Sequence, residues 1–562
     1  MSMSSEENKS SAIRFGEREV GHSDNRPTKT AAAARHAQFE LGDYNDSARD
    51  EESDETADVY GSVPSDKRDM MRMGKEQELR RVFRQVSLLS FTAILMATWE
   101  FVLMACTQGL VDGGRAGLFW SYIWVMIGYG FIIASLAEMS SMAPTCGGQY
   151  HWVSEFAPPN CQKFLSYITG WVSTLSWQAG NASGGFICGT LIQSLIIIKN
   201  PDYAAPGWQG TLLVFPVMLV CVVFNIWLNH WLPSMQNAVM VLHVAGFLAI
   251  MVIFWVLSPH VPAREVFLDF ENDGGWQTMG LALMIGQISA VGFLGASDAA
   301  AHMSEEVKDA GLSVPRAMWW TYIVNGLLGL IMLVSFLFAM PSVEDAINDV
   351  TGYPMMYAFQ QAMPMNGTIV LTVLMMVLLM AGNISYQAST ARQTYAFARD
   401  RGFPGSRWLG YVNPKLMIPV NAVIFSAVFT IILSLINIGS SAAFNAIISL
   451  GAVAQMGTYA ISITCVLYRR LTAPHLLPKA RWSLGRWGVV INIVGLLFAW
   501  EVFFWCFWPN AQPVTVDSFN WAPVMFVAVV VGALITYYFQ GRRVYTGPVA
   551  IVQGRQEESL AG

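Results

Sequence analysis

Gly292-Phe293-Leu294-Gly295-Ala296-Ser297-Asp298 is the stretch on which the reading of this chain turns. Two glycines and two polar residues fall just beyond the centre of an apolar run at about 278–301, where they weaken continuous helix and free backbone groups. Inside a bilayer such a break persists only where it lines a cavity. The segment therefore points to a binding site near the membrane midplane.

The rest of the chain supports the membrane setting. Of 562 residues, 54% are hydrophobic and 13% charged, and the mean hydropathy is +0.41. Eighteen of the 39 acids and 14 of the 33 bases precede residue 86, so the remaining body is too poor in charge to cover itself in water. Apolar runs recur with little room for a soluble domain between them. They predict an all-α integral membrane protein of twelve helices at about 87–110, 117–140, 164–195, 210–230, 237–257, 278–301, 319–340, 367–391, 418–438, 443–468, 486–507 and 522–539. These make one transporter-like body over 86–540. Residues 1–85 read as a disordered cytoplasmic tail in which Lys9, Lys29, Lys67 and Lys75 are candidate modification sites, and 541–562 as a second cytoplasmic tail.

Flanking bases set the orientation. Placing the tails inside gives twenty lysines and arginines to the cytoplasmic side and three, Arg115, Lys199 and Arg264, to the other, so both termini are expected inside. The net charge is −6, of which −4 lies in the amino-terminal tail, and it argues against a nucleic-acid partner. Seven cysteines, mostly within apolar runs, show neither a disulfide framework nor zinc spacing, and the polar start lacks the pattern of a cleavable signal.

Enzyme signatures are missing. No phosphate loop occurs, Gly128-Tyr-Gly130 lies inside span 2, and the eight histidines are scattered, so no cofactor or metal is expected. Four ionisable residues fall inside spans, where they are costly and usually functional: Glu100, His243, Asp298 and Glu501. Glu501 reads as structural.

Longer motifs carry a resemblance. The stretch from Gly292 through Asp298, His302 and Glu305-Glu306 to Pro315-Arg316 resembles span 6 and its following loop in the amino acid, polyamine and organocation superfamily. Pro144-Thr-Cys-Gly-Gly-Gln-Tyr-His-Trp152 resembles that superfamily's loop between spans 2 and 3, and Ala391 through Pro404 its loop after span 8. With Ala137-Glu138-Met139 and Pro419-Val-Asn421, the set is similar to the fungal amino acid/choline permeases, including GABA permeases, over about residues 75 to 545.

The resemblance implies a five-plus-five inverted repeat of the leucine-transporter type, broken spans 1 and 6 around the substrate, and alternating access driven by an ion gradient, usually protons. It implies substrate contacts at Ala97, Thr98, Trp99, Glu100, Trp177, Gly292, Phe293, Gly295, Ser297 and Asp298. His243 in span 5 takes the place of a coupling base, with Ser389 and Thr390 on span 8 as hydrogen-bonding neighbours in place of sodium ligands. One departure matters: span 1 has no glycine, so its break is expected at Ala97-Thr98. Glu100 would then satisfy the free amides of the outer half-helix, face the cavity with negative charge, and favour an ammonium over a carboxylate. Trp99 or Trp177 would add cation–π contact.

The expectation is a multi-pass permease in the plasma membrane, or alternatively the vacuolar membrane, importing an amino acid or small amine such as GABA together with a coupling proton. A choline-type organocation carrier of the same fold and a non-transporting nutrient receptor are the alternatives.

Overall fold

The computed structural model describes residues 59–200, 202–439, 443–515 and 519–548. The expected tail segments 1–58 and 549–562 lie outside the described residues.

Among the described residues, eleven helices are long and apolar enough to cross a membrane: Gln85–Val111, Gly114–Met142, Gln162–Lys199, Gly207–Ile226, Asn229–Leu257, Ala310–Phe338, Met365–Arg399, Val420–Ile438, Ser449–Thr472, Gly485–Trp505 and Ala522–Val544. These are spans 1–5 and 7–12. Span 6 is the shorter apolar stretch Met279–Leu294, followed by the break and a helical turn at Ala299–His302. No strand forms among these residues, and two isolated bridges, Phe83 with Val307 and Asn413 with Ile418, pin loops.

Burial ranks the spans. Span 1 is enclosed by spans 5, 7 and 8 and its most apolar window is 83% buried, whereas that of span 12 is 11% buried. Span 3 packs against spans 8 and 10, and span 2 against spans 7 and 11. The outer surfaces of spans 5 and 12 present large apolar side chains, among them Val241, Leu248, Val252, Val527 and Val531, in a jacket that lipid and not water would cover. The protein is a multi-pass integral membrane protein.

Two differences from the sequence expectation bear on the site. Span 7 starts at Ala310 and not near 319, with Pro315 inside its first turns. Proline removes the amide that would bond the Gly311 carbonyl, and Ser141 Oγ supplies that bond from span 2 at 2.7 Å.

The second difference concerns residues 59–84, which fold where a disordered tail is expected. A helix at Pro64–Arg72 buries Met70, and Met73, Leu79 and Phe83 are buried beyond it. These anchors are too sparse to show a period in sequence, and the charges between them find distant partners. Asp66 accepts from the amides of Asp309 at 3.0 Å and Ala310 at 2.9 Å. Arg81 donates to the carbonyls of Ser304 and Val307. Lys75 pairs with Asp400 and is buried, which removes it as a modification site.

Candidate functional site

Span 1 breaks at Ala97-Thr98, where the break is expected, although no glycine is present. Helix Gln85–Met96 ends at Ala97, which has φ 43° and ψ 41°, and a new helix runs over Thr98–Met104. An alanine in the left-handed region costs about 1–2 kcal/mol, so packing must hold it there. Asn325 of span 7 donates to the Ala93 carbonyl at 2.9 Å, one turn before the break, and Thr98 is fully buried next to the same span.

Span 6 breaks at the sequence singled out above. Its helix ends at Leu294, Gly295 is extended with φ −73° and ψ 175°, and Ala296 takes φ 68°. Ser389 of span 8 approaches the Ala299 carbonyl at 3.5 Å just past the break. Each broken span thus carries a left-handed alanine followed within three residues by a buried carboxylate: Glu100 after Ala97, and Asp298 after Ala296.

The structure brings Glu100 and His243 together. Glu100 Oε1 lies 2.6 Å from His243 Nδ1, and both side chains are buried. Trp99 Nε1 reaches the same ring at 3.1–3.2 Å. Nδ1 is turned to the carboxylate, and the indole nitrogen stands nearly equidistant from the two ring nitrogens. Glu100 therefore does not cap the amides of its own half-helix as expected. Its Oε1 is taken instead by the imidazole across on span 5, and its Oε2 has no hydrogen-bond partner. Trp99 packs on His243 and Phe247, and neither it nor Glu100 lines the cavity described below.

Around Asp298 a second group gathers. Gln149, from the loop between spans 2 and 3, donates to Asp298 Oδ2 at 2.6 Å. His302 lies one turn on with Nε2 3.8 Å from the same oxygen, and Trp177 stacks edge-on to His302 with centroids 4.8 Å apart. Ser297 Oγ is buried without a partner. Phe293 points away, against Tyr122. Thr390 Oγ1 bonds the carbonyls of Trp177 and Tyr386, at 3.2 and 2.8 Å. His243 is thus separate from Ser389 and Thr390, which serve spans 6 and 3.

A cavity of about 710 Å³ opens on the face formed by residues 205–207, 350–353 and 510. Thr107 and Gln108 of span 1, Thr190 and Ser194 of span 3, and Ser289 and Gly292 of span 6 line it. Gly292 is the only member of the expected substrate set to do so; a Cβ there would meet open space. One turn deeper, Gly295 faces Gln455 Oε1 and the Tyr129 hydroxyl, which bond each other at 3.3 Å. Gln149, His302, Asn325, Gln455, Tyr129 and Tyr386 all touch this region without having been singled out. Asn325 and Gln455 carried a signal, as polar side chains inside apolar spans.

The opposite face is shut by ion pairs. Arg399 holds Glu305 with two bonds of 2.7 Å, Arg392 holds Glu306 at 2.6 Å, and Arg470 pairs with Glu138. Burial opposes ionisation of Glu305, but the charge and hydrogen bonds of Arg399, with Lys75, outweigh it and hold the carboxyl down at about 2. The Cys146 amide and Thr145 hydroxyl also reach Glu305 Oε1, at 3.3 and 3.1 Å. The cavity thus opens on one face, ion pairs close the other, and two discontinuous helices lie between. Among the described residues, no three His, Cys, Asp or Glu side chains cluster to hold a metal ion.

Comparison with known proteins agrees with this geometry. The family model described as amino acid permease matches residues 83–531, and the chain belongs to that family. A Macrophomina phaseolina protein named provisionally as an amino acid/polyamine transporter is 30% identical over 438 residues, covering 77% of this chain and 96% of its own. Amino-acid permease 2 of Neurospora crassa is 26% identical, with 87% and 90% covered. The choline transporter of Saccharomyces cerevisiae is 26% identical, with 83% of each chain covered. The protein is a transmembrane transporter of the permease type.

Proposed function

We propose that this permease imports an amino acid or a small amine such as GABA by proton symport, binding it between the breaks of spans 1 and 6. The Glu100–His243 contact carries the reading. Two acceptor atoms buried 2.6 Å apart require a proton between them. An imidazole can take up and give back a proton near neutral pH, and this one is joined to the segment that must move. Substrate meets backbone and small polar groups at Ala97, Thr98, Gly292, Gly295 and Ser297, while Trp99, Trp177 and Phe293 shape the walls from behind. Ser389 and Thr390, occupied by carbonyls, brace the helices. No chemical change to the substrate is part of this reading.

Glu100 is turned to His243 and is not among the residues lining the cavity, so it does not meet a substrate carboxylate directly. Amino acids and amines are both admitted, in place of the preference for amines expected from sequence. The basic, sealed face is cytoplasmic by its arginine and lysine excess, so the cavity opens outward, and the plasma membrane is the first place to look, ahead of the vacuolar membrane. The Saccharomyces cerevisiae relative favours a second reading, a carrier for choline or a similar organocation.

Uptake of labelled leucine, GABA and choline into cells lacking their own permeases separates these. The expected result is accumulation of an amino acid or GABA that a protonophore abolishes and sodium replacement leaves intact. Accumulation that needs sodium and ignores the pH gradient refutes proton coupling. Choline uptake alone supports the second reading, and substrate binding without accumulation in proteoliposomes makes the protein a receptor.

A further inference from the structure

The Glu100–His243 pair has a counterpart at the other break that differs from it in one respect: its proton position is open. His302 Nδ1 lies 2.8 Å from the Cys146 carbonyl, an acceptor only, so Nδ1 carries the hydrogen and Nε2 presents its lone pair. Nε2 has no partner, and 3.8 Å away is Asp298 Oδ2. Asp298 Oδ1 and Gln149 Oε1 are likewise without partners, and Asp298 and His302 are both wholly buried. Beyond the Gln149 amide on Oδ2 and the Tyr459 hydroxyl that reaches Asp298, no donor stands between the carboxylate and Nε2, an arrangement that burial penalises.

We infer that Asp298 and His302 form a second proton-binding station, so that transport moves two protons with each substrate. The inference rests on the proton-symport reading above and takes Asp298 out of the substrate's immediate shell. The incoming proton bonds to Nε2, and the imidazolium then faces the Asp298 carboxylate. The site changes from one net negative charge to none, and the proton leaves by the same nitrogen. An imidazole nitrogen suits a proton, whereas hard cations such as sodium take oxygen ligands.

The surroundings contain no competing charge in contact with the pair. Gln149 and Cys146 face it from the loop, Trp177 from span 3, and the hydroxyl-bearing Tyr129, Tyr386 and Tyr459 lie within electrostatic reach of Asp298 from spans 2, 8 and 10. Glu305, one turn on, is already committed to Arg399. Among the described residues no chain of hydrogen bonds joins the two acid–imidazole pairs, so each loads by itself.

A release route is built into the loop. Cys146 holds His302 with its carbonyl and Glu305 with its amide. Gly148, at φ 53°, lets the backbone approach so closely that a Cβ would stand 2.8 Å from His302 Cε1. When Glu305 leaves the seal it lets go the Cys146 amide, the loop carries the Cys146 carbonyl off Nδ1, and the freed imidazolium turns so that Nε2 gives its proton toward the cytoplasmic side.

The test counts protons per substrate in proteoliposomes, with labelled leucine, GABA and choline offered and an entrapped pH dye as the counter. The unaltered protein is expected to move about two protons per substrate, and His302→Gln or Asp298→Asn one, with substrate counterflow retained. One proton per substrate in the unaltered protein, or a ratio of two in either variant, overturns the second station and leaves symport standing. Substrate accumulation without any proton movement removes symport itself and this inference with it. Should neither variant reach the membrane, the ratio in the unaltered protein decides.

Discussion

Replacing Glu305 with glutamine tests whether the sealed face is a gate. The carboxyl is held at about 2 where 4.5 is ordinary, and at about 1.4 kcal/mol per tenfold the difference is about 3 kcal/mol in favour of the ionised, paired form. If the pair with Arg399 exists only while the face is sealed, Glu305→Gln removes up to that amount from the sealed state. The equilibrium between sealed and open then shifts toward open by up to about 100-fold. Cys146 is a built-in reporter, being buried with its amide 3.3 Å from Glu305 Oε1. Maleimide labelling of Cys146, followed by peptide mapping in the purified protein, is expected to be slow in the unaltered protein and up to about 100-fold faster in the variant. Arg399→Ala is a harsher version, because it strands a buried charge at a cost of about 3–5 kcal/mol. Unchanged Cys146 labelling in a Glu305→Gln protein that still transports refutes the gate.

Three further expectations concern the break of span 6, the glycines of spans 6 and 3, and a buried acid between spans 1 and 2. Gly295→Leu should abolish uptake without loss of surface expression, since a Cβ there already meets Gln455 Oε1 at 3.4 Å and the rest of the side chain fills the space between the breaks; normal uptake would remove the site from this segment. Gly292→Ala should transport nearly as the parent, while Gly180→Ala, whose Cβ would stand 2.0 Å from the Tyr386 hydroxyl, should lower uptake by about tenfold or more; parallel uptake assays at matched expression compare them. Asp112, in the turn between spans 1 and 2, is pushed up to about 7 by burial, against the hydrogen bonds of Gln108 and Trp276. The folded state therefore keeps a proton that the unfolded chain releases above 3.8, and the associated stability is full below that value and lost as pH rises through about 7. Melting temperatures in nanodiscs across that range should fall in the parent and stay flatter in Asp112→Asn; equal slopes would place the titration elsewhere.

The fold was legible because membrane insertion is a local, compositional property. A run of apolar residues long enough to span a bilayer is visible in one dimension, and so is an excess of arginine on one side. The broken sixth span was legible for the same reason, since Gly292, Gly295, Ser297 and Asp298 interrupt a run whose backbone would otherwise be satisfied within its own helix. Sequence also placed Glu100, His243 and Asp298 inside the bilayer, where their cost marks them.

Which of these groups touch is a matter of three-dimensional packing. Glu100 and His243 are 143 residues apart, and no spacing rule pairs a side chain in span 1 with one in span 5. The pairing depends on how an unfavourable turn at Ala97 rotates the second half of its helix, and that turn is stabilised from outside by Asn325 of span 7. Residues 59–84 show the same dependence in reverse. Their charges read as solvation in the linear chain, yet Asp66, Lys75 and Arg81 are buried because amides, carbonyls and a carboxylate from spans 6 to 8 and their loops converge on them. Local composition determines that a segment enters the bilayer or stays out of it; the partner that satisfies each buried polar group is chosen only when distant segments pack, because the cost of leaving it unsatisfied arises only on burial.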